Sequence, residues 1–568
     1  MNKILGLKKA NCKNCHKCIR ECPVKSINFS DQQANIIPEE CILCGRCVVA
    51  CPQNAKDVRN DVHIARELIR SGRKVIASVA PSFIVDFDVA DIHGLETCLK
   101  QLGFAGAAET AEGAYIVKTK YEELVAARTQ DVIISTCCHS TVLLAQKYFP
   151  ETVKYLAHVL SPMQAHAKLI KSKEPDAAVV FIGPCISKKD EADQYPGIVD
   201  CVLTFEELRE WMAEENVAPQ LADDAAPIVR MSRFFPQTGG IIKSMHTENT
   251  GFQYLSVDGV KDCISALHNI ASGKLKNCFV EMSICRGSCI NGPMVRRYRD
   301  EMLGCTIKLE EFAKPQTADG ADDFNITADF DLQKPITEKM LAQVNPSEEV
   351  INAILAKMGK TRKEDELNCG TCGYPTCREK AVAVYQGKAE PSMCLPFMME
   401  KAESFSDKII SVTPNAIMVF DEQLNVQQMN AAAKKIFNLA SSLQVKNMPV
   451  MEILDPEPYV EMLSEGKRHM ERRKYLAEYD KYIEETIQYD KEHEIIISIM
   501  KDVTDEQREA LHAKEVQQKT IDITDKVIEK QMRVVQEIAS LLGETTAETK
   551  IALTNLKDVI SVEDKPHE

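Results

Sequence analysis

The stretch Ala177–Glu191, AAVVFIGPCISKKDE, decides how this chain is read. An apolar, β-branched run stops at Pro184-Cys185 and the text then turns abruptly polar. KVIASVAP (Lys74–Pro81) and DVIIS (Asp131–Ser135) repeat the run, ending at Pro and at Ser. Amphipathic segments such as HGLETCLKQLG (His93–Gly103) and YEELVAART (Tyr121–Thr129) separate these runs. Strands alternating with helices predict α/β architecture, with the working residues on loops beyond the strand ends. Cysteines stand at those ends: STCCHS (Ser135–Ser140) follows one run and Cys185 another. A third segment, EMSICRGSCING (Glu281–Gly292), carries Cys285 and Cys289.

At 568 residues the chain is too long for one core and predicts several domains. A formal charge of −15 argues against a nucleic-acid partner, which needs a basic face. Neither a charged-then-apolar leader nor an apolar run of roughly twenty residues is found, so a cytoplasmic protein without a membrane partner is expected. In that compartment thiols stay reduced, and 22 cysteines read as metal ligands rather than disulfides.

Cys12, Cys15, Cys18 and Cys22 form C-x2-C-x2-C-x3-C-P, and Cys41, Cys44, Cys47 and Cys51 repeat it. Three thiolates at this spacing wrap three corners of a cubane, and the fourth cysteine serves the other cluster, as in two-cluster ferredoxins. One 4Fe-4S cluster is therefore assigned to Cys12, Cys15, Cys18 and Cys51, and its twin to Cys22, Cys41, Cys44 and Cys47. Zinc prefers paired C-x2-C knuckles and does not need interleaved triples followed by Cys-Pro.

The segments around Cys137, Cys185 and Cys285, taken in order behind a two-cluster ferredoxin, resemble the three active-site segments of the FeFe-hydrogenases. LSPM (Leu160–Met163) and FFPQTGGIIKSM (Phe234–Met245) resemble framework segments of the same family, and the likeness covers roughly Lys74–Arg299 as well as the first domain. The resemblance implies that Cys138, Cys185, Cys285 and Cys289 hold the 4Fe-4S half of an H-cluster. Cys289 would bridge to a diiron half carrying CO, cyanide and an azadithiolate. It implies that Cys137 relays protons and that Lys188 hydrogen-bonds a cyanide ligand, with Glu191 as its partner. Taken singly, a Cys-Cys pair reads as a small buried hydrophobe, and Lys188-Lys189-Asp190-Glu191 as a solvated charged turn.

The departures from the family pattern matter too. Gly183 and Ser283 stand where the family usually has methionines against the diiron site, with Pro184 beside them, which predicts extra room for water or a small ligand. His139-Ser140 replaces the usual Pro-Gly, and only Glu122 and Glu123 lie near the family's acidic proton path. Slow or strongly biased turnover is expected.

Cys369, Cys372, Cys377 and Cys394, as C-x2-C-x4-C-x16-C, resemble small 4Fe-4S domains of anaerobic redox proteins, with zinc as the competing occupant. Cys98, Cys201, Cys263, Cys278 and Cys305 lack ligand spacing and read as core. Beyond Phe405, Ser406–Leu439 and Glu494–Glu515 resemble a PAS domain with its linker helix. The absence of cysteine after Cys394 excludes a flavin–cysteinyl adduct, and His469 and His493 leave haem open, so the PAS ligand is unassigned. Ile523, Val527, Val534, Ile538 and Leu541 fall on one helical stripe, either a dimer seam or a face packed on the chain's own core.

The expected fold is thus multidomain. It comprises an α+β two-cluster ferredoxin domain (1–62), an α/β H-cluster domain (73–335), and a small 4Fe-4S domain with a preceding helix (336–400). An α/β PAS domain (403–505) and a C-terminal signalling or dimerisation helix (506–568) complete it. The expected function is an H2-sensing FeFe-hydrogenase of low turnover. Its expected partners are H2, protons, a ferredoxin-type redox protein, hydrogenase maturation proteins, a separate kinase or phosphatase, and a second copy of the chain. The alternatives are a ferredoxin-coupled metabolic hydrogenase and a non-enzymatic hydrogenase-like protein without diiron.

Overall fold

In the computed structural model, which describes residues 4–219, 230–295, 302–313, 323–341, 345–440, 445–542 and 546–561, the quoted runs become parallel strands. Ala178–Gly183 is buried at every position, as befits a Val/Ile-rich strand covered on both faces. It lies between Val75–Val79 and Cys201–Thr204, and Gly106–Glu109 completes a four-stranded parallel sheet. Val132–Ile134 joins a different sheet, beside Cys278–Ser283 and then Gln253–Asp258, again all parallel. The α/β domain therefore has two sheets, each with its own apolar core.

The N-terminal cysteine runs wrap two short helices, Lys17–Glu21 and Arg46–Ala50. Two antiparallel pairs flank them, Ile27–Ser30 with Gln33–Ile36 and Leu5–Leu7 with Lys56–Val58. Gly45 shows why this region sits tightly on the α/β domain. Its φ is +71°, and a Cβ there would lie 2.4 Å from Pro293 Cβ, just past the third cysteine segment. Lys189 is fully buried and donates to Asp61 Oδ2 at 2.8 Å and Glu207 Oε1 at 2.9 Å, tying the end of the first domain to the helix Phe205–Glu214. Lys188, Lys189 and Glu191 lie buried on or beside the helix Ser187–Gln194, so the solvated-turn reading of this run fails.

The chain divides into two units at Met398/Met399, within the helix Leu395–Val412. The second unit holds a five-stranded antiparallel sheet in the order Val426–Met429, Ala416–Asp421, Ile495–Asp502, Lys481–Asp490, His469–Leu476. Ala431–Ile436 and Glu457–Glu465 pack on its apolar face through Ala433, Ile436, Tyr459 and Met462. Past the sheet come two helices, Thr504–Leu542 and then Thr546–Ser561, joined by the Lys557–Asp525 ion pair at 3.2 Å. None of the described helices is long and apolar enough to cross a membrane.

Candidate metal centre

Both sheets point their carboxyl ends at one place. Thr136–Cys138 follow Val132–Ile134, Pro184-Cys185 follow Ala178–Gly183, and Ile284-Cys285 follow Cys278–Ser283. Cys137, Cys138, Cys185, Cys285 and Cys289 line one cavity of about 110 Å³, with Lys188, Phe181, Pro184 and Ser283 among its walls. Burial pushes the Cys285 thiol well up, and Cys185, Cys138, Cys289 and Cys44 raise it further. Crowded thiols of this kind cannot ionise together unless positive charge sits among them. The donor set thus fits a cationic iron–sulfur core. Cys44, from the N-terminal runs, also lines the cavity, so a second cluster would lie close by.

Cys137 does not share the role of its neighbour. Tyr121 Oη lies 3.2 Å from its Sγ and accepts from Thr136 N at 2.9 Å. Thr136 Oγ1 donates to Ala157 O at 2.8 Å, so the Tyr121 hydroxyl hydrogen is shared between Cys137 Sγ and Thr136 Oγ1, the latter 3.4 Å away. Burial pushes the Cys137 thiol up to about 12, while Tyr121 and Lys188 pull the other way.

Lys188 Nζ donates to Cys137 O at 3.0 Å and to Glu191 Oε2 at 2.5 Å, leaving its third N–H for the cavity. Glu191 is fully buried; its Oε1 accepts from Lys334, itself fully buried, and its Oε2 from Ser161 Oγ at 3.1 Å. Burial raises the Glu191 carboxyl, but Lys188 and Lys334 outweigh that and hold it well below the usual carboxylate range. Lys188 is raised overall because Glu191 outweighs its burial, whereas burial lowers Lys334. His139 is buried with Nε2 2.8 Å from Asp190 Oδ2.

The other cysteine sets come together in the interleaved pattern. Cys18 is raised by burial and then by Cys51, Cys12 and Cys15, and Cys47 by burial and then by Cys44, Cys41 and Cys22. Cys369, Cys372, Cys377 and Cys394 line a separate small cavity with Lys380. Among the described residues no three His, Cys, Asp or Glu side chains converge closely enough to grip a single metal ion.

Tyr121 and Lys334 were not singled out from the sequence. Glu122 accepts from His246 N instead, and Glu123 pairs with Lys120 at the surface, so neither reaches Cys137. Gly183 is absent from the cavity wall. A Cβ there would meet the Phe181 ring at 2.7 Å, so that ring fills the room expected from the missing methionine. Ser283 does line the wall, its Oγ 2.9 Å from Ser288 Oγ. His469 and His493 are 58% and 71% exposed and face Glu471 and Asp490, which removes the motive for placing haem on them.

Fold and site define an iron–sulfur protein with cysteine sets at the strand ends of an α/β domain. Residues 73–293 match the family model for the iron only hydrogenase large subunit, C-terminal domain; residues 4–52 match a 4Fe-4S dicluster domain and 365–396 an iron–sulfur cluster family. Iron hydrogenase 1 of Clostridium pasteurianum is 23% identical over 40% of this chain and 49% of its own length. NADP-reducing hydrogenase subunit HndD of Solidesulfovibrio fructosivorans is 24% identical over 46% of this chain and 56% of its own. Cytosolic Fe-S cluster assembly factor NAR1 of Candida dubliniensis is 26% identical over 31% of this chain and 36% of its own. The chain thus spans about half or less of the length of most of these curated relatives. It is a hydrogenase-like iron–sulfur protein.

Proposed function

We propose that this chain is an H2-sensing FeFe-hydrogenase of low turnover. Cys138, Cys185, Cys285 and Cys289 would hold a cubane, and Cys289 would also serve a diiron unit bearing CO, cyanide and azadithiolate. When bound, that unit supplies the open metal site at which H2 is cleaved into two protons and two electrons. Cys137, held as a neutral thiol, would exchange protons with the cavity by giving up its S–H proton before taking one, its orientation set by Tyr121. Lys188 directs one N–H into the cavity and balances anionic ligands there, while Glu191 and Lys334 fix its position. The N-terminal runs and the set Cys369, Cys372, Cys377 and Cys394 would hold further cubanes, which would supply an exit for electrons to a ferredoxin-type external partner.

The observation that carries this reading is the joint approach of Cys137 and Lys188 to the cavity of the four ligand cysteines. The sensory part rests on the second unit, whose strand order and following helix suit a PAS module. The helix Leu395–Val412 starts directly after Cys394 and leads into that sheet. A charge change at Cys394 could then bias the module and a separate kinase or phosphatase. The test is exposure of anaerobically matured protein to H2. Reduced-cluster EPR signals and a changed hydrogen-exchange pattern in residues 399–542 support it; oxidised clusters under H2 contradict it.

The likeness to the NAR1 assembly factor favours a second reading, in which the cubane stays and diiron is never inserted. Iron stoichiometry of the matured chain separates the two.

A further inference from the structure

Residues 371–394 do not hang from the α/β domain as a free appendage; they are seated on the N-terminal cysteine runs. Arg20 donates to Thr371 O at 3.0 Å, and Phe29 N to Lys388 O at 2.9 Å. Lys388 pairs with Glu40 at 2.7 Å. Lys25 Nζ bonds three carbonyls at once: Ile19 O at 3.0 Å, Arg20 O at 3.2 Å and Gly373 O at 2.8 Å. Gly373 has φ +98°, and a Cβ there would press within 2.9 Å of Ile19 Cγ2 and 3.3 Å of Arg20 N. The loop between Cys372 and Cys377 therefore lies directly on the helix between Cys18 and Cys22.

Tyr374 fills this contact. It is 3% exposed and belongs to one apolar cluster with Cys18, Cys22, Cys41 and Cys47, against which Cys372 packs; of the N-terminal cysteines it is Cys22 whose charge bears on its hydroxyl. Lys25 and Lys380 each stand 5.8 Å from its ring centre. Its hydroxyl is buried and has no hydrogen-bond partner among the described residues. Buried hydroxyls without partners are rare and call for an explanation. The sulfur-rich surface of a cubane, with its lone pairs, is an acceptor of the right kind.

We infer that Tyr374 forms an electron junction between the cluster of Cys369, Cys372, Cys377 and Cys394 and the cluster of Cys22, Cys41, Cys44 and Cys47. The ring packs between the two ligand sets, and the hydroxyl donates to a sulfur of the latter cluster. Because Cys44 also lines the main cavity, that cluster would sit at a branch: one arm to the hydrogenase-like centre, one to Cys394. The step moves one electron from a reduced cubane to an oxidised one, without proton transfer or a bond made or broken. The inference rests on the cubane assignments and not on the diiron unit, so it stands or falls separately.

The test uses the full iron-loaded chain reduced with dithionite, without H2. EPR of the unaltered protein should show the third cluster spin-coupled to a neighbour. Gly373→Ala should lose that coupling at unchanged iron content. Tyr374→Phe keeps the ring and removes the hydroxyl. It should lower the midpoint potential of one N-terminal cluster, because hydrogen bonds to cluster sulfur help set that potential. Lys388→Ala, which weakens the contact from the surface, serves if Gly373→Ala does not fold, and should also weaken the coupling. A magnetically isolated third cluster in the unaltered chain would overturn the junction. An unchanged potential in Tyr374→Phe would overturn the hydrogen bond.

Discussion

Lys334→Met probes the charge arrangement beneath the cavity. Glu191 holds two ammonium groups on its two oxygens, Lys188 on one and Lys334 on the other, and both Glu191 and Lys334 have fully buried side chains. Removing one partner of a buried pair costs about 3–5 kcal/mol, because it strands an uncompensated charge. Here Lys188 and Ser161 still serve Glu191, which places Lys334→Met near the low end, ~3 kcal/mol or roughly 150-fold in the unfolding equilibrium. Glu191→Gln strands two ammonium groups and belongs near ~5 kcal/mol. The double variant should cost less than the sum, since both substitutions break the same contact. Anaerobic urea unfolding of iron-loaded chains at matched iron content gives all three numbers. A cost of about 0.5 kcal/mol or less for Lys334→Met, the size of an ordinary surface change, would refute the reasoning. So would a smaller cost for Glu191→Gln than for Lys334→Met.

Tyr121→Phe removes the hydroxyl beside Cys137 and orphans Thr136 N, so stability should fall by about 1–3 kcal/mol and the rate of H2/deuteron exchange should drop; an unchanged exchange rate would exclude a part for Tyr121. Burial raises the Glu281 carboxyl to about 7 from 4.5, against the pull of Gly239 N and Ile242 N. A raised acid stabilises the fold in its neutral form, so its contribution is present below pH 4.5 and is lost as pH rises through about 7. Relative to Glu281→Gln, the unaltered protein should lose up to ~3 kcal/mol across that window, measured by urea unfolding at each pH. Ile523 and Val527 are 61% and 52% exposed on the long C-terminal helix; if they form a dimer seam, replacing both with aspartate converts dimer to monomer in light scattering.

The parallel strands were legible where β-branched residues run unbroken, as at Ala178–Gly183. Gly106–Glu109 reads GAAE and carries no such signal; only its pairing with Val75–Val79 makes it a strand. His469–Leu476 and Lys481–Asp490 were missed because their charged positions face solvent, where alternation, not apolarity, marks a strand. At the site, cysteine spacing revealed the candidate ligands because chelation demands fixed intervals. Lys334 reaches Glu191 across 143 residues, and Tyr121 reaches Cys137 across 16, with no motif attached to either. Gly183 shows the converse: a missing side chain was read as empty space, yet Phe181, two residues earlier on the same strand, occupies it.

The infrared spectrum of the anaerobically matured chain tests the central claim most directly. Sharp metal-bound CO and cyanide bands, shifting when argon is replaced by H2 and perturbed by Lys188→Met, are the predicted result. A chain with full cubane iron and no such bands would contradict the diiron assignment and leave an iron–sulfur scaffold.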